Sequence, residues 1–310
     1  MTVLWILCVV AGVLVAALAS ARTMRHIEAL IRGSRIPPFV VGITLVAVGT
    51  DLPEIANSVV SSAAGHGDLN VGDSIGSAAT QITLVLGLLP FFAGMIAVRR
   101  RPVVLTGIAT CACIGLGAVL VADGELSRAN AGLLLGAWIV SSLLLWRGQS
   151  PPEVGPSASP GARRGFHAMA ALSFLAIVGA GATLAVHGVV QIATAFAVPE
   201  YLISFFGLSL GTSLPELIVD VTALRRGQRD VAIGDVFGSS LVDASLSIAV
   251  GPLLFPNFVD GPLAVRGALV ALAVVVLATT VVAAGGRLDR RGGSLLIAAY
   301  VAVYFVLLGA

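Results

Sequence analysis

Two glutamates, each one residue after a proline and each deep in an apolar run, are the side chains whose placement most needs a reason. Glu54 closes the string G-T-D-L-P-E at 49–54, and Glu216 closes G-T-S-L-P-E at 211–216. An ionised group at membrane depth is costly and usually functional. Glycine and proline at Gly49/Pro53 and Gly211/Pro215 interrupt a helix and release backbone carbonyls that an unbroken helix would use. Carbonyls next to a carboxylate suit the coordination of a cation.

The two strings belong to a longer internal repeat. Residues 47–81 match residues 209–243 at a constant offset of 162 without a gap: G-D-S-I-G-S at 72–77 faces G-D-V-F-G-S at 234–239, and Gly65 and Asp68 match Gly227 and Asp230. Ser77 and Ser239 end the second motif. Gln81 and Asp243 follow four residues later, so each pair shares a helical face that can look at the glutamates. Hydroxyls, an amide oxygen, carbonyls and carboxylates make an all-oxygen environment, which a hard cation such as calcium prefers. Calcium and a monovalent ion would need the same carboxylates, and mutually exclusive occupancy turns a binding site into an exchanger.

Other polar residues are weaker candidates. Asp73 and Asp235, at the expected starts of helices three and eight, are as well placed to cap those helices as to meet an ion. Asp220, one turn past Glu216 where the first copy has Ser58, is a secondary candidate. Gly72, Gly76, Gly234 and Gly238 read as packing elements, since small residues let membrane helices approach closely. His26, His66, His167 and His187 lie at or near span ends and read as solvated. Cys8, Cys111 and Cys113 fall in apolar runs, where cysteine behaves as a small hydrophobe.

These motifs must be held by elements inside a bilayer. Of the 310 residues, 57% are hydrophobic and 11% charged, under half the charge of an ordinary soluble domain. Ten apolar runs are long enough to cross a membrane: 3–20, 37–64, 71–97, 103–121, 129–146, 167–186, 199–224, 231–255, 263–284 and 294–309. The first lacks the positive n-region of a secretory leader and is expected to be a retained helix. The chain has no lysine, and 16 of its 18 arginines fall in alternate loops, leaving Arg128 and Arg266 on the other side. By the positive-inside rule the arginine-bearing loops are cytoplasmic and both termini lie outside.

A Pro-, Gly- and Ser-rich stretch at 147–166 reads as a cytoplasmic linker between a first five-helix repeat (1–146) and a second (167–310). It is too short for a regulatory domain. The link between the paired motifs carries no arginine in the first copy but Arg225, Arg226 and Arg229 in the second. The copies therefore point in opposite directions, as an odd number of helices per half requires. The expected fold is an all-α membrane protein of ten transmembrane helices, arranged as two inverted five-helix repeats with broken helices 2 and 7. In such folds the substrate site lies near the midplane where the repeats meet.

The paired motifs resemble the α-repeats of the sodium/calcium exchanger family, of prokaryotic type, within the calcium:cation antiporter superfamily; these carry G-T-S-x-P-E followed by G-N-x-x-G-S-N. The resemblance covers the ten-helix layout and both α-repeats, about 39–90 and 201–252. It implies that Ala47 and Ser209 coordinate through backbone carbonyls, Thr50 and Thr212 through carbonyls or hydroxyls, and Glu54 and Glu216 as shared calcium carboxylates, with Ser77, Ser239 and Asp243 completing the shell. The departures lie in the same shell. Asp51 replaces the family's serine, which Ser213 keeps in the second copy; Gln81 stands where asparagine is common; both G-N dipeptides are G-D. Asp51 beside Glu54 puts like charges together in a low-dielectric site, which makes proton coupling a serious alternative.

The expected function is secondary antiport of Ca2+ against Na+ by alternating access, helices one and six moving against the bundle that holds the site. Sodium leads because the Thr and Ser positions of the G-T-x-L-P-E pair are mostly kept. Proton-coupled, potassium-dependent or other divalent-cation exchange, and more remotely a passive channel, are the alternatives. An intramembrane aspartyl protease is disfavoured because Asn70 and Ala232 replace the first glycine of its G-x-G-D element. The expected partners are the transported ions and the lipid bilayer of a prokaryotic plasma membrane, with no cofactor, no nucleic acid and no obligate protein partner.

Overall fold

The computed structural model describes residues 2–31, 41–147 and 164–309. Among them nine helices are long and apolar enough to cross a bilayer: α1 (Thr2–Ile31), α3 (Gly67–Ala93), α4 (Arg100–Leu120), α5 (Arg128–Arg147), α6 (Arg164–Phe196), α7 (Glu200–Arg225), α8 (Arg229–Leu254), α9 (Gly261–Gly285) and α10 (Arg290–Leu308). A further segment, α2 (41–63), is divided at Asp51. Residues 148–163 of the expected linker 147–166, with Arg163, and the loop carrying Arg32 and Arg35 lie outside the described residues.

Sequence spans and helices agree closely except in α1 and α6. Both run about ten residues beyond the apolar stretch, so Arg22 and Arg25 lie on a helix and not in a loop. In α1 the physical reason is that arginine is a good helix former whose long stem reaches the aqueous boundary from within a helix. His187 likewise lies inside α6, edge-on to Trp5.

Helices α1 and α6 pack along their length through small residues. A Cβ on Gly12 would meet the backbone of Gly181 and Ala185, and one on Gly188 the carbonyl of Trp5. Without a hydrophobic force between helices in lipid, such close backbone approach supplies the attraction. Ser20 Oγ ties the pair to the rest of the protein by donating to the Gly49 carbonyl at 2.6 Å. That carbonyl is the one whose helical partner is missing because Pro53 has no N–H.

The inversion is visible at both ends of the molecule. Where α3 begins, Asp68 accepts from the amide of Asp260, just beyond the end of α8. Where α8 begins, Asp230 lies 3.8 Å from Arg99, just beyond α3. Two short antiparallel pairings clasp the repeats together: β1 (Ile96–Ala97) with β4 (Arg287–Leu288), and β2 (Glu125–Leu126) with β3 (Asn257–Phe258). The first clasp sits among arginines, whereas at the other end His66 meets Glu200 at 2.9 Å.

The core is the crossing of α2 and α3 of one repeat with α7 and α8 of the other. Helices α3 and α8 are the most enclosed spans. Gly76 of α3 lies against the Phe205 backbone, and its repeat mate Gly238 against the Ile43 backbone; a Cβ at either place would collide with main chain. These glycines act as packing elements, as their sequence positions suggest. Each of the four helices also carries a π-helical turn, at Val41–Val46, Gln81–Val85, Ser204–Leu208 and Asp243–Ser247. The turns keep the offset of the repeat, and turns of this kind gather at functional sites.

Candidate cation-binding site

The helical path of α2 breaks at Asp51 (φ −78°, ψ 7°) and that of α7 at Ser213 (φ −80°, ψ 3°). Leu52–Ala63 and Leu214–Arg225 then restart as half-helices with Pro53 and Pro215 in the first turn. Proline suits this position because the N–H it lacks would have no partner there. Glu54 and Glu216 follow directly, at the positive end of each half-helix, where a carboxylate is favoured.

The two half-helices meet. Asp51, Glu54 and Glu216 each place a carboxylate oxygen within 4.8 Å of the others, and all three are buried. Around them the repeats interlock through hydroxyls. Ser77 Oγ lies 3.4 Å from Glu54 Oε1 and 3.3 Å from Thr212 Oγ1. Thr212 Oγ1 lies 3.4 Å from Asp73 Oδ1. In the mirrored half, Thr50 Oγ1 lies 3.4 Å from Ser239 Oγ and 3.5 Å from Asp235 Oδ1. Gln81 reaches Asp51 at 3.5 Å through its amide nitrogen, and Asp243 accepts from Ser247 at 3.0 Å. Most of these separations exceed the roughly 2.7–2.8 Å of a relaxed hydroxyl hydrogen bond, so the oxygens surround a shared region more than they pair off.

The Ala47 and Ser209 carbonyls are engaged within their own helices. Ala47 O accepts from Asp51 N at 2.9 Å and Thr50 Oγ1 at 3.1 Å; Ser209 O accepts from Ser213 N at 3.0 Å and Thr212 Oγ1 at 3.3 Å. Ser213 is buried, and its hydroxyl has no hydrogen-bond partner among the described residues.

Two expectations need correction. Asp73 and Asp235 are not helix caps: the helices begin at Gly67 and Arg229, Asp68 and Asp230 occupy the first turns, and Asp73 and Asp235 are 1% and 0% exposed within the crossing. The solvated reading of the histidines fails for His66, paired with Glu200, and for His26 and His167, whose Nδ1 atoms are 2.9 Å apart. Asn57, which donates to Asp73 Oδ2 at 3.0 Å, was missed. The signal was present as a polar stripe, Glu54–Asn57–Ser58–Ser61, at helical spacing in an otherwise apolar span, all of it buried.

Seven carboxylates are thus enclosed: Asp51, Glu54, Asp73, Glu216, Asp220, Asp235 and Asp243. Among the described residues none forms an ion pair, and both oxygens of Glu216 and Asp220, with one each of Asp51, Glu54, Asp235 and Asp243, accept no hydrogen bond from the protein. A crevice of about 570 Å³ at the arginine-bearing end, lined by residues such as Arg99, Gln228 and Arg229, includes none of these side chains. Buried carboxylates without donors call for positive charge from outside the protein.

The characteristic sequence pattern of the family described as sodium/calcium exchanger protein matches residues 4–147 and again 166–309. The chain belongs to this family. Among its relatives is the "Putative antiporter CaxA" of Alkalimonas amylolytica, 28% identical over 314 residues that cover 96% of this chain and 97% of that protein. "Inner membrane protein YrbG" of Escherichia coli (strain K12) is 28% identical, with 94% and 93% covered. The structure of the sodium-calcium exchanger NCX_Mj soaked with 10 mM Na+ and zero Ca2+ is 27% identical and superposes with a TM-score of 0.68 over 97% of this chain and 98% of that one. Membership in the exchanger family makes this chain an integral membrane transporter with the inverted-repeat architecture of exchangers, not an enzyme.

Proposed function

We propose that the chain exchanges Ca2+ for Na+ across the membrane by alternating access, with the ion held between Glu54 and Glu216. The observation that carries this reading is the convergence of Asp51, Glu54 and Glu216, from two oppositely directed half-helices, on one buried point. Thr50, Ser77, Gln81, Thr212, Ser213, Ser239 and Asp243 supply the surrounding oxygens, and Ala47 and Ser209 enter when local rearrangement releases their carbonyls. A hard divalent ion with six to eight oxygen ligands suits this donor set. Sodium binding to the same oxygens would discharge it. The α1–α6 pair, joined to the site by Ser20, is the part that moves. The two transport units are 1–146 and 167–310, joined by the cytoplasmic linker 147–166, with both termini outside and the arginine-bearing end in the cytoplasm of a prokaryotic cell.

Asp51 favours one further reading, in which a proton replaces part of the sodium. Its carboxylate stands within the cluster where the second repeat has a hydroxyl, so the site holds one more negative charge than two glutamates and Asp243 provide. Proteoliposomes loaded with radioactive calcium, with sodium and pH gradients imposed separately, decide between these readings. A sodium gradient is expected to drive calcium movement at constant pH, and uptake indifferent to sodium would end the sodium reading. Unlabelled calcium on the opposite side should accelerate efflux of label, which a passive pore would not show.

A further inference from the structure

Besides Asp51/Ser213 and Gln81/Asp243, the pseudo-symmetry of the site fails around the paired aspartates Asp73 and Asp235. In the first repeat Asp73 has an amide donor, Asn57 Nδ2 at 3.0 Å on Oδ2, and Thr212 Oγ1 lies 3.4 Å from its other oxygen. The neighbouring Ser58 accepts the amide of Gly251 at 3.0 Å. In the second repeat the positions of Asn57 and Ser58 are held by Val219 and Asp220. Valine has nothing to donate, and Asp220 brings a second carboxyl within hydrogen-bonding reach of Asp235. A neutral amide that satisfies an aspartate has been replaced by another acid.

The result is a buried pair of carboxyl groups, both 0% exposed. Both oxygens of Asp220 and Oδ2 of Asp235 accept no hydrogen bond from the described residues. Asp235 Oδ1 lies 3.5 Å from Thr50 Oγ1 and 3.4 Å from Ser239 Oγ. Every heteroatom in this group is oxygen, which selects a hard cation. Two ionised carboxylates facing each other in a low-dielectric interior require about two units of positive charge.

We propose that Asp220 and Asp235 form a second calcium site, with carboxylates of its own and bordering the site between Glu54 and Glu216 at Thr50 and Ser239. Asp220 lies four residues beyond Glu216 toward Arg225, which is roughly 6 Å along the helix axis. The site therefore stands between the central cluster and the arginine-bearing end. Only its position on the ion's route rests on the antiport reading. The binding itself stands on the carboxyl pair, which a fully symmetric pair of repeats would not contain.

The test is equilibrium binding of radioactive calcium to the purified protein and three variants. V219N/D220S rebuilds the first repeat's arrangement around Asp235, so the fold keeps its packing and gains a donor. E54Q/E216Q removes the central carboxylates, and a fourth protein combines all four changes. Wild type should bind two calcium ions per chain, each double variant one, and the combination none. D220N, which preserves side-chain volume, should lose the same single ion, and monodisperse elution with a cooperative melt identifies any variant that has not folded. Equal stoichiometry in wild type, V219N/D220S and D220N would overturn the second site, as would a single ion in wild type that vanishes in E54Q/E216Q. Loss of one ion in V219N/D220S with none lost in E54Q/E216Q would sink the central reading and leave this one standing.

Discussion

At the scale of single residues, the site is built by surrounding acids with hydroxyls in place of bases. Thr50 and Thr212 each bond back to their own helix and also reach an aspartate of the opposite repeat. The repeats are thus tied together through the side chains proposed to hold the cation. Removing one member of a buried charged assembly costs about 3–5 kcal/mol, equivalent to roughly two to four orders of magnitude in affinity. Glu54→Gln and Glu216→Gln should each weaken calcium binding by about that factor and abolish measurable uptake, while the amount of protein inserted in the membrane stays at the wild-type level. Asp51→Ser copies the second repeat at Ser213. It should leave calcium uptake largely intact and alter its dependence on sodium concentration or pH, readable in the same vesicles; an unchanged profile would remove Asp51 from the coupling.

At the scale of elements, close backbone contact decides the geometry of the crossing. The α3–α7 contact at Gly76 and the α8–α2 contact at Gly238 each require that no Cβ be present, because the neighbouring atoms are main chain and cannot swing aside. Gly76→Val and Gly238→Val should each destabilise the protein by about 1–3 kcal/mol through overpacking. Gly115→Ala in α4, where nothing lies within 4 Å, should be neutral or slightly stabilising because alanine is the better helix former. Thermal melts in detergent, followed by tryptophan fluorescence, compare the three. Melts of the α3 and α8 variants that match the α4 variant would show that the helices can separate without loss. The π turns belong to this scale too: they widen α3 from Gln81 and α8 from Asp243, midway along the two most enclosed helices.

At the scale of the whole molecule, inversion places equivalent segments at opposite ends, and the β1–β4 and β2–β3 clasps are one such equivalent pair. The arrangement predicts an observable sidedness. In a background with Cys8, Cys111 and Cys113 replaced, Ala64→Cys in the exposed turn between α2 and α3 should react with an impermeant thiol reagent in intact cells. Arg226→Cys, exposed between α7 and α8, should react only after permeabilisation. Reversal of that pattern would invert the assigned topology. The sodium and pH gradient assays also belong here, since coupling is a property of the whole transport unit and not of one side chain.

The amino-acid sequence alone determined the number of spans, the repeat, its inversion and the central glutamates. These follow from hydropathy, arginine placement and a constant offset, all of which are local or one-dimensional signals. It also marked Asp51, Ser77 and Gln81 as candidates by position. What it did not determine is where each carboxyl points. Asp73 and Asp235 could be read as caps or as ion contacts because their distance from a helix start depends on where the helix begins, and that boundary is set by contacts with the opposite repeat. The fate of the carbonyl released by Pro53 depended on Ser20, 29 positions earlier in the chain. The pairing of Asp220 with Asp235, and of Asn57 with Asp73, arises only when α7 packs on α8 and α2 on α3. Hydrogen-bond partners across a helix crossing are chosen by packing in three dimensions, and a chain read residue by residue carries no record of which side chains that packing brings face to face.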